Sequence, residues 1–115
     1  MLQEISGGKL EMCDAYLHSI TKHDMIARLL LNLKGAYLRA DDDRGALAAV
    51  DRLLVLRPDD LDEVRDRGLL LYRLRRYGEA IEQLKGYLAA RPEASDRESI
   101  ETHLLNLRRL LSTLN

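Results

Sequence analysis

The sequence predicts an all-α fold of antiparallel helix pairs that repeat along the chain, and three observations carry that prediction. A spacing of 34 residues recurs, separating Pro58 from Pro92, Ala46 from Ala80, Val50 from Leu84, Tyr37 from Leu71 and Leu30 from Val64. A fixed period of this kind marks one supersecondary unit copied along the sequence. No segment sustains the period-two alternation of a half-buried strand. The apolar residues are almost all Leu, Ala, Ile and Val, with no Trp, no Phe and five Tyr, which suits helix packing better than a β-sandwich.

A first short helix is expected over about Leu10–Ile20. Thr21 and Asp24 then have the spacing of a capping box, opening a second helix that runs to about Arg39. Asp41-Asp42-Asp43 marks a turn and puts negative charge at the N-terminus of the next helix, where the helix dipole favours it. That helix ends near Arg57, because Pro58 cannot continue a helix interior. Asp60 caps the following helix, Leu61–Leu74, with Glu63 at its third position. Arg75-Arg76-Tyr77-Gly78 forms the next turn, and a helix follows from about Glu79 to Arg91, closed by Pro92. Ser95 and Glu98 form a second capping box before a last helix to about Leu114. Its apolar residues Ile100, Leu104, Leu107, Leu111 and Leu114 follow the three-and-four spacing of a packing stripe.

These elements divide one domain of 115 residues into an N-terminal segment (1–22), a first repeat (23–59), a second repeat (60–93) and a capping helix (94–115). The expected packing sets Leu30, Leu33, Tyr37, Ala46, Val50 and Leu53 against Val64, Leu71, Ala80, Leu84 and Tyr87.

Charge argues against whole classes of partner. Lys and Arg number 18 against 19 Asp and Glu, so no global field attracts nucleic acid or an anionic membrane. The N-terminus has neither the basic nor the apolar region of a leader, and the longest apolar runs are too short to span a bilayer. The single cysteine, Cys13, cannot form an internal disulfide, and a free thiol suits a reducing compartment, so the cytoplasm is the expected location.

Residues 27–92 resemble two tetratricopeptide repeats. Leu74-Arg75-Arg76-Tyr77-Gly78-Glu79-Ala80-Ile81 is close to that family's inter-helix turn, with Ala80 small enough for paired helices to approach. Gly68 matches the small residue of the first helix, and Pro58 and Pro92 match the closing proline. Leu30 and Val64 depart from the frequent Trp, and in the first unit the small residue is Gly35, one place late, after Lys34. A narrower resemblance rests on Gly7-Gly8-Lys9-Leu10, the stretch Leu30–Arg39, and Arg65-Asp66-Arg67-Gly68-Leu69-Leu70. These are similar to the C-terminal repeat region of bacterial Sir-B-type transglutaminase-like proteins, in which a papain-fold region precedes the repeats. The resemblance implies an accessory part of such an enzyme, with no transglutaminase chemistry in these residues.

The residues themselves offer no catalytic constellation, and no cofactor is expected. Cys13, His18 and His23 are spaced by fives, which fans them around a helix instead of placing them on one face. No base is visible to activate Cys13. The Arg-rich stretch Arg57–Arg76 interleaves its six arginines with five acids and has few aromatics to stack bases, so nucleic acid is not an expected partner.

Recognition of another polypeptide remains. The tetratricopeptide resemblance implies a groove lined by the first helix of each unit: Arg28, Leu31, Asn32, Gly35 and Arg39, then Arg65, Asp66, Leu69, Tyr72 and Arg73, with His103 and Asn106 added by the last helix. Arg and Tyr are over-represented at binding hot spots, and their number here suits a protein or peptide partner of acidic character. The competing reading makes Arg65, Asp66 and Arg67 structural, paired with neighbouring helices. Self-association into a homodimer is a further expectation, through Leu2, Ile5 and Leu10 or through Leu105 and Leu110.

Overall fold

A computed structural model describes the backbone of residues 7–114 and the side chains of residues 21–114. Five α-helices follow one another: α1 (Gly7–Arg39), α2 (Asp43–Leu56), α3 (Leu61–Arg73), α4 (Tyr77–Ala90) and α5 (Arg97–Leu114), with no strand among the described residues. Each packs on the next in sequence, α1 on α2, α2 on α3, α3 on α4 and α4 on α5. The connections are short, as antiparallel helix neighbours require.

The expected break at Ile20–Thr21 is absent. One helix covers both predicted segments, and the boundary drawn between an N-terminal segment and a first repeat falls inside it. Neither Pro nor Gly interrupts the sequence there, so nothing obliges the chain to stop. Asp24, read as part of a capping box, instead accepts a hydrogen bond from Arg57 at 2.9 Å, tying α1 to the end of α2.

The other ends follow local chemistry more closely. Asp42 caps α2 by accepting from the Gly45 N–H at 2.9 Å, satisfying one of the donors a helix start leaves unpaired. Asp60 does the same for α3, more loosely, with the Glu63 N–H at 3.4 Å. At α5 the helix opens one residue later than the Ser95 capping box implies, and the Asp96 carbonyl accepts the first helical bond from Ile100. Both intra-repeat turns close alike. Asp41 (φ 56°) and Arg75 (φ 64°) are left-handed, and the next residues, Asp42 and Arg76, donate to the carbonyls of Tyr37 and Leu71. This is the hydrogen bond of a Schellman closure, made here twice without glycine.

The main core joins Ala46, Leu47 and Val50 of α2, Leu70 and Leu71 of α3, Ala80, Ile81, Leu84 and Tyr87 of α4, and Ile100, Leu104 and Leu107 of α5. Ala27, Leu30 and Leu53 form a smaller cluster between α1 and α2. Two expected core residues are not in it. Leu33 is exposed, because it points away from α2, and Tyr37 is partly exposed with its ring laid over Gly45. Leu114, expected in the α5 stripe, is exposed past the end of α4's cover, whereas Leu111 is partly buried.

Close approach decides the helix pairing. A Cβ added at Gly68 would meet Leu84 Cδ2 at 2.7 Å, and Ala80 and Leu84 expose nothing. Replacing Ala80 by Leu is therefore expected to overpack the α3–α4 pair and cost about 1–3 kcal/mol. Urea denaturation checks it, and a variant as stable as the parent would contradict this packing.

Candidate protein-binding face

Lys34 points from α1 at α3 and is buried. Such a residue must find counter-charge, and its ammonium donates to Glu63 Oε2 at 2.8 Å and Oε1 at 3.1 Å, and to Asp66 Oδ2 at 2.6 Å. Glu63 is thus a buried acceptor for α1 instead of the return arm of a capping box. Burial alone disfavours the Lys34 charge, but the hydrogen bonds and charges of Asp66 and Glu63 outweigh it and hold the pKa above the ordinary lysine value.

The polar chain continues from Asp66. Arg65 donates to Asp66 Oδ1 at 3.1 Å and to Asp96 Oδ2 at 3.2 Å, and the Tyr87 hydroxyl donates to Asp96 Oδ1 at 2.7 Å. The guanidinium groups of Arg65 and Arg91 lie 6.0 and 5.5 Å from the Tyr87 ring centroid, and Arg91 donates to Asp62 at 2.8 Å. The Tyr87 hydrogen bond, reinforced by Arg65, holds the Asp96 carboxyl below the usual range, and Arg91 does the same for Asp62.

This network sorts the predicted groove residues. Arg65 and Asp66 are partly buried and engaged with each other and with neighbouring helices, and Arg67 donates to Asp51 of α2 at 2.6 Å. Tyr72 stands edge-on to Tyr77 and His103, at centroid distances of 6.2 and 5.6 Å, so α5 does reach this face. Arg28, Asn32 and Arg39 share one side of α1 and are exposed. Arg39 folds back over Gly35, and neither Arg28 nor Arg39 has an ion-pair partner among the described residues. Arg73 is half-exposed, with Nη2 at 3.0 Å from Asp43 Oδ1, an oxygen that is buried and accepts no aligned hydrogen bond.

Between α1 and α3 lies a recess of about 180 Å³, floored by Leu38, Leu69 and Leu70 and edged by Lys34, Asp66 and Arg73. A second depression, of about 210 Å³, takes in Asp24, Ala27, Arg28, Leu31 and Arg57. The first recess brings together Asp66, Leu69 and Arg73 of the groove lining that the resemblance implies, and its remaining wall, Lys34, Leu38 and Leu70, was not read from the sequence. The signal was available: Lys34 stands one period before the small Gly68, so the repeat itself marks the position as buried.

A tetratricopeptide repeat family model matches residues 33–104. The chain belongs to the tetratricopeptide repeat family. Such repeats generally mediate protein–protein interaction and are typically non-catalytic. Among the described residues no cluster of His, Cys, Asp or Glu is arranged to hold a metal ion; His23 is exposed on α1, while Cys13 and His18 lie outside the described side chains. No helix among the described residues is long and apolar enough to cross a membrane. The chain is similar to a UPF0162 protein of Xylella fastidiosa (strain Temecula1 / ATCC 700964), 32% identical over 83 residues, which cover 72% of this chain and 30% of the relative. It is also similar to a UPF0162 protein of Vibrio cholerae serotype O1 (strain ATCC 39315 / El Tor Inaba N16961), 32% identical over 89 residues covering 77% of this chain and 33% of the relative. The chain spans about a third of the length of these curated relatives.

Replacing Lys34 by Met leaves the Glu63 and Asp66 carboxylates facing a neutral side chain, an expected loss of about 3–5 kcal/mol. In the parent, the raised Lys34 pKa contributes stability in full below the unfolded lysine value of about 10.4 and loses it as pH rises through the higher folded value. The depressed Asp96 works oppositely: its contribution is complete above the unfolded carboxylate value of about 3.9 and is lost as pH falls through the lower folded one. Denaturation from acid to alkaline pH checks both signs.

Proposed function

We propose that this tetratricopeptide module docks an extended protein segment along the face shared by α1 and α3. An aliphatic side chain fills the recess floored by Leu38, Leu69 and Leu70, and acidic neighbours meet Arg39, Arg73 and Arg28. The observation that carries this is the pairing of an apolar recess with cations that the fold leaves available. Arg28 and Arg39 have no ion-pair partner among the described residues, and Arg73 holds Asp43 without an aligned hydrogen bond. Arg65 belongs to the internal network, so it supports the face instead of contacting the partner.

A second reading has an observation of its own. Because the matched stretch covers only 30 and 33% of the relatives, the resemblance to the repeat region of transglutaminase-like proteins would make this module an accessory domain beside a papain-fold part. In either reading the work is recognition, and the cytoplasm is its setting.

A fluorescence-anisotropy panel of short peptides tests the first reading. Peptides with one Leu flanked by Asp or Glu should bind, and charge-reversed versions should not. Affinity should fall as salt rises, since the Debye length shrinks from about 30 Å at 0.01 M to about 8 Å at 0.15 M. Arg39→Ala with Arg73→Ala should weaken binding while leaving the fold intact. Salt-independent affinity, or binding indifferent to both arginines, would overturn the reading.

A further inference from the structure

The proposed groove uses one side of α1, and another side carries apolar residues that the described residues leave largely uncovered, Tyr37 resting by its ring on Gly45 of α2. Met25, Ile26, Leu29, Leu33 and Tyr37 are 58, 46, 61, 46 and 36% exposed, and Ala36 is exposed among them. On a helix of 3.6 residues per turn these six fall within an arc of roughly 120° and a length of about 18 Å. Between Met25 and Tyr37 no charged residue falls in that arc. Exposed apolar patches of this kind on a soluble protein mark contact surfaces.

The repeat shows that this face is unusual for its position. One period later, Leu29 and Leu33 correspond to Glu63 and Arg67, which α3 points at the preceding helix pair and which are paired there with Lys34 and Asp51. At α1 the same positions hold leucines with no preceding pair to meet among the described residues.

The order of the stripe identifies its occupant. The positions are symmetric about Leu31: Leu29 and Leu33 stand two residues either side of it, Ile26 and Ala36 five, and Met25 and Tyr37 six. Laid antiparallel against an identical helix centred on the same residue, every apolar position of the stripe meets an apolar one. The ends match in charge as well. Lys22, exposed on the same side, comes opposite the other copy's α1–α2 turn, where Asp41 is exposed. A twofold contact asks for such a self-complementary surface.

We propose that α1 pairs antiparallel with α1 of a second copy through Met25, Ile26, Leu29, Leu33 and Tyr37, with Lys22 facing Asp41 at each end. This goes beyond the groove reading and does not depend on it. It also places self-association on a surface different from the expected α5 face, where Leu105 is exposed and Leu110 partly buried. The other residues expected to take part, Leu2, Ile5 and Leu10, lie outside the described side chains.

Light scattering after size exclusion, over a concentration series, reads the mass directly. The parent should move to twice its 13.1 kDa as concentration rises. A Leu29→Glu, Leu33→Glu variant should remain at the single-chain mass with unchanged helical circular dichroism, since both side chains are exposed within one copy. Leu105→Glu should dimerise like the parent. Orientation is read in a Cys13→Ser background: L29C mixed with L33C should form a disulfide dimer on oxidation, and L29C alone should not. A parent that stays monomeric, a dimer that survives both glutamates or is lost with Leu105→Glu, or a self-linked L29C would each overturn the proposal.

Discussion

An ammonium group withdrawn from water needs carboxylates at close range, and the position of Lys34 makes that requirement organise the first half of the molecule. The second repeat places Gly68 at the equivalent site and gains close contact with Leu84. The first repeat places there a lysine that can be buried only if α3 supplies acceptors. Glu63 and Asp66, three residues apart on α3, lie on neighbouring turns of one helix face and supply them together. The clamp therefore sets the rotation of α3 about its axis as well as its distance from α1. A misplaced α3 would leave both a lysine and a glutamate buried and unpaired, so the penalty for a wrong register is large. Apolar contacts, being non-directional, would discriminate less.

From that clamp the polar network runs outward through Arg65 to Asp96 and Tyr87, and so reaches the segment that introduces α5. Its effect on function is to divide the arginines into two sets. Arg65, Arg67 and Arg91 hold one helix to another, and each has a carboxylate on a neighbouring element. Arg28 and Arg39 face solvent on one side of α1, with Arg73 loosely held across the recess. A groove whose cations were all committed internally would offer a ligand only shape. One with all of them uncommitted would repel itself and lose stability. The division would let the same residue type do both jobs within a nearly neutral chain.

Much of this was legible because the repeat is periodic. The 34-residue spacing places Ala46, Val50, Leu71, Ala80 and Leu84 in the core, and all five are buried. The caps at Asp42 and Asp60 follow from residue chemistry at helix starts. What escaped was set by partners distant in sequence. Lys34, Glu63 and Asp96 each have an ordinary surface reading locally, and only the packing of α1 on α3 and of α5 on α4 reveals what they meet. Thr21 and Asp24 erred in the other direction: a capping pattern is a permission to start a helix, and a helix already under way ignores it. The candidate face was half legible. Its exposed rim of Arg28, Asn32, Arg39 and Arg73 came from the register that the tetratricopeptide resemblance implies, whereas the floor of the recess depends on Leu38 and Leu70 turning inward.

One long helix carries both the groove's outer wall and the apolar stripe, about a quarter-turn or more apart on its circumference. That arrangement has a consequence for affinity. A single short groove of the proposed kind, with one recess and three arginines, would bury little surface and hold a peptide weakly. Two copies joined antiparallel through α1 would carry two such grooves related by a twofold axis on one rigid particle. A partner presenting the acidic–aliphatic segment twice would then bind its second groove as an intramolecular step, at an effective concentration set by the linker between its segments. Avidity can exceed the single-site affinity by about 10²–10⁴ without any new contact. In the proposed pair the self-complementary stripe would thus add to the groove's reach, because pairing would double the surface offered to one partner.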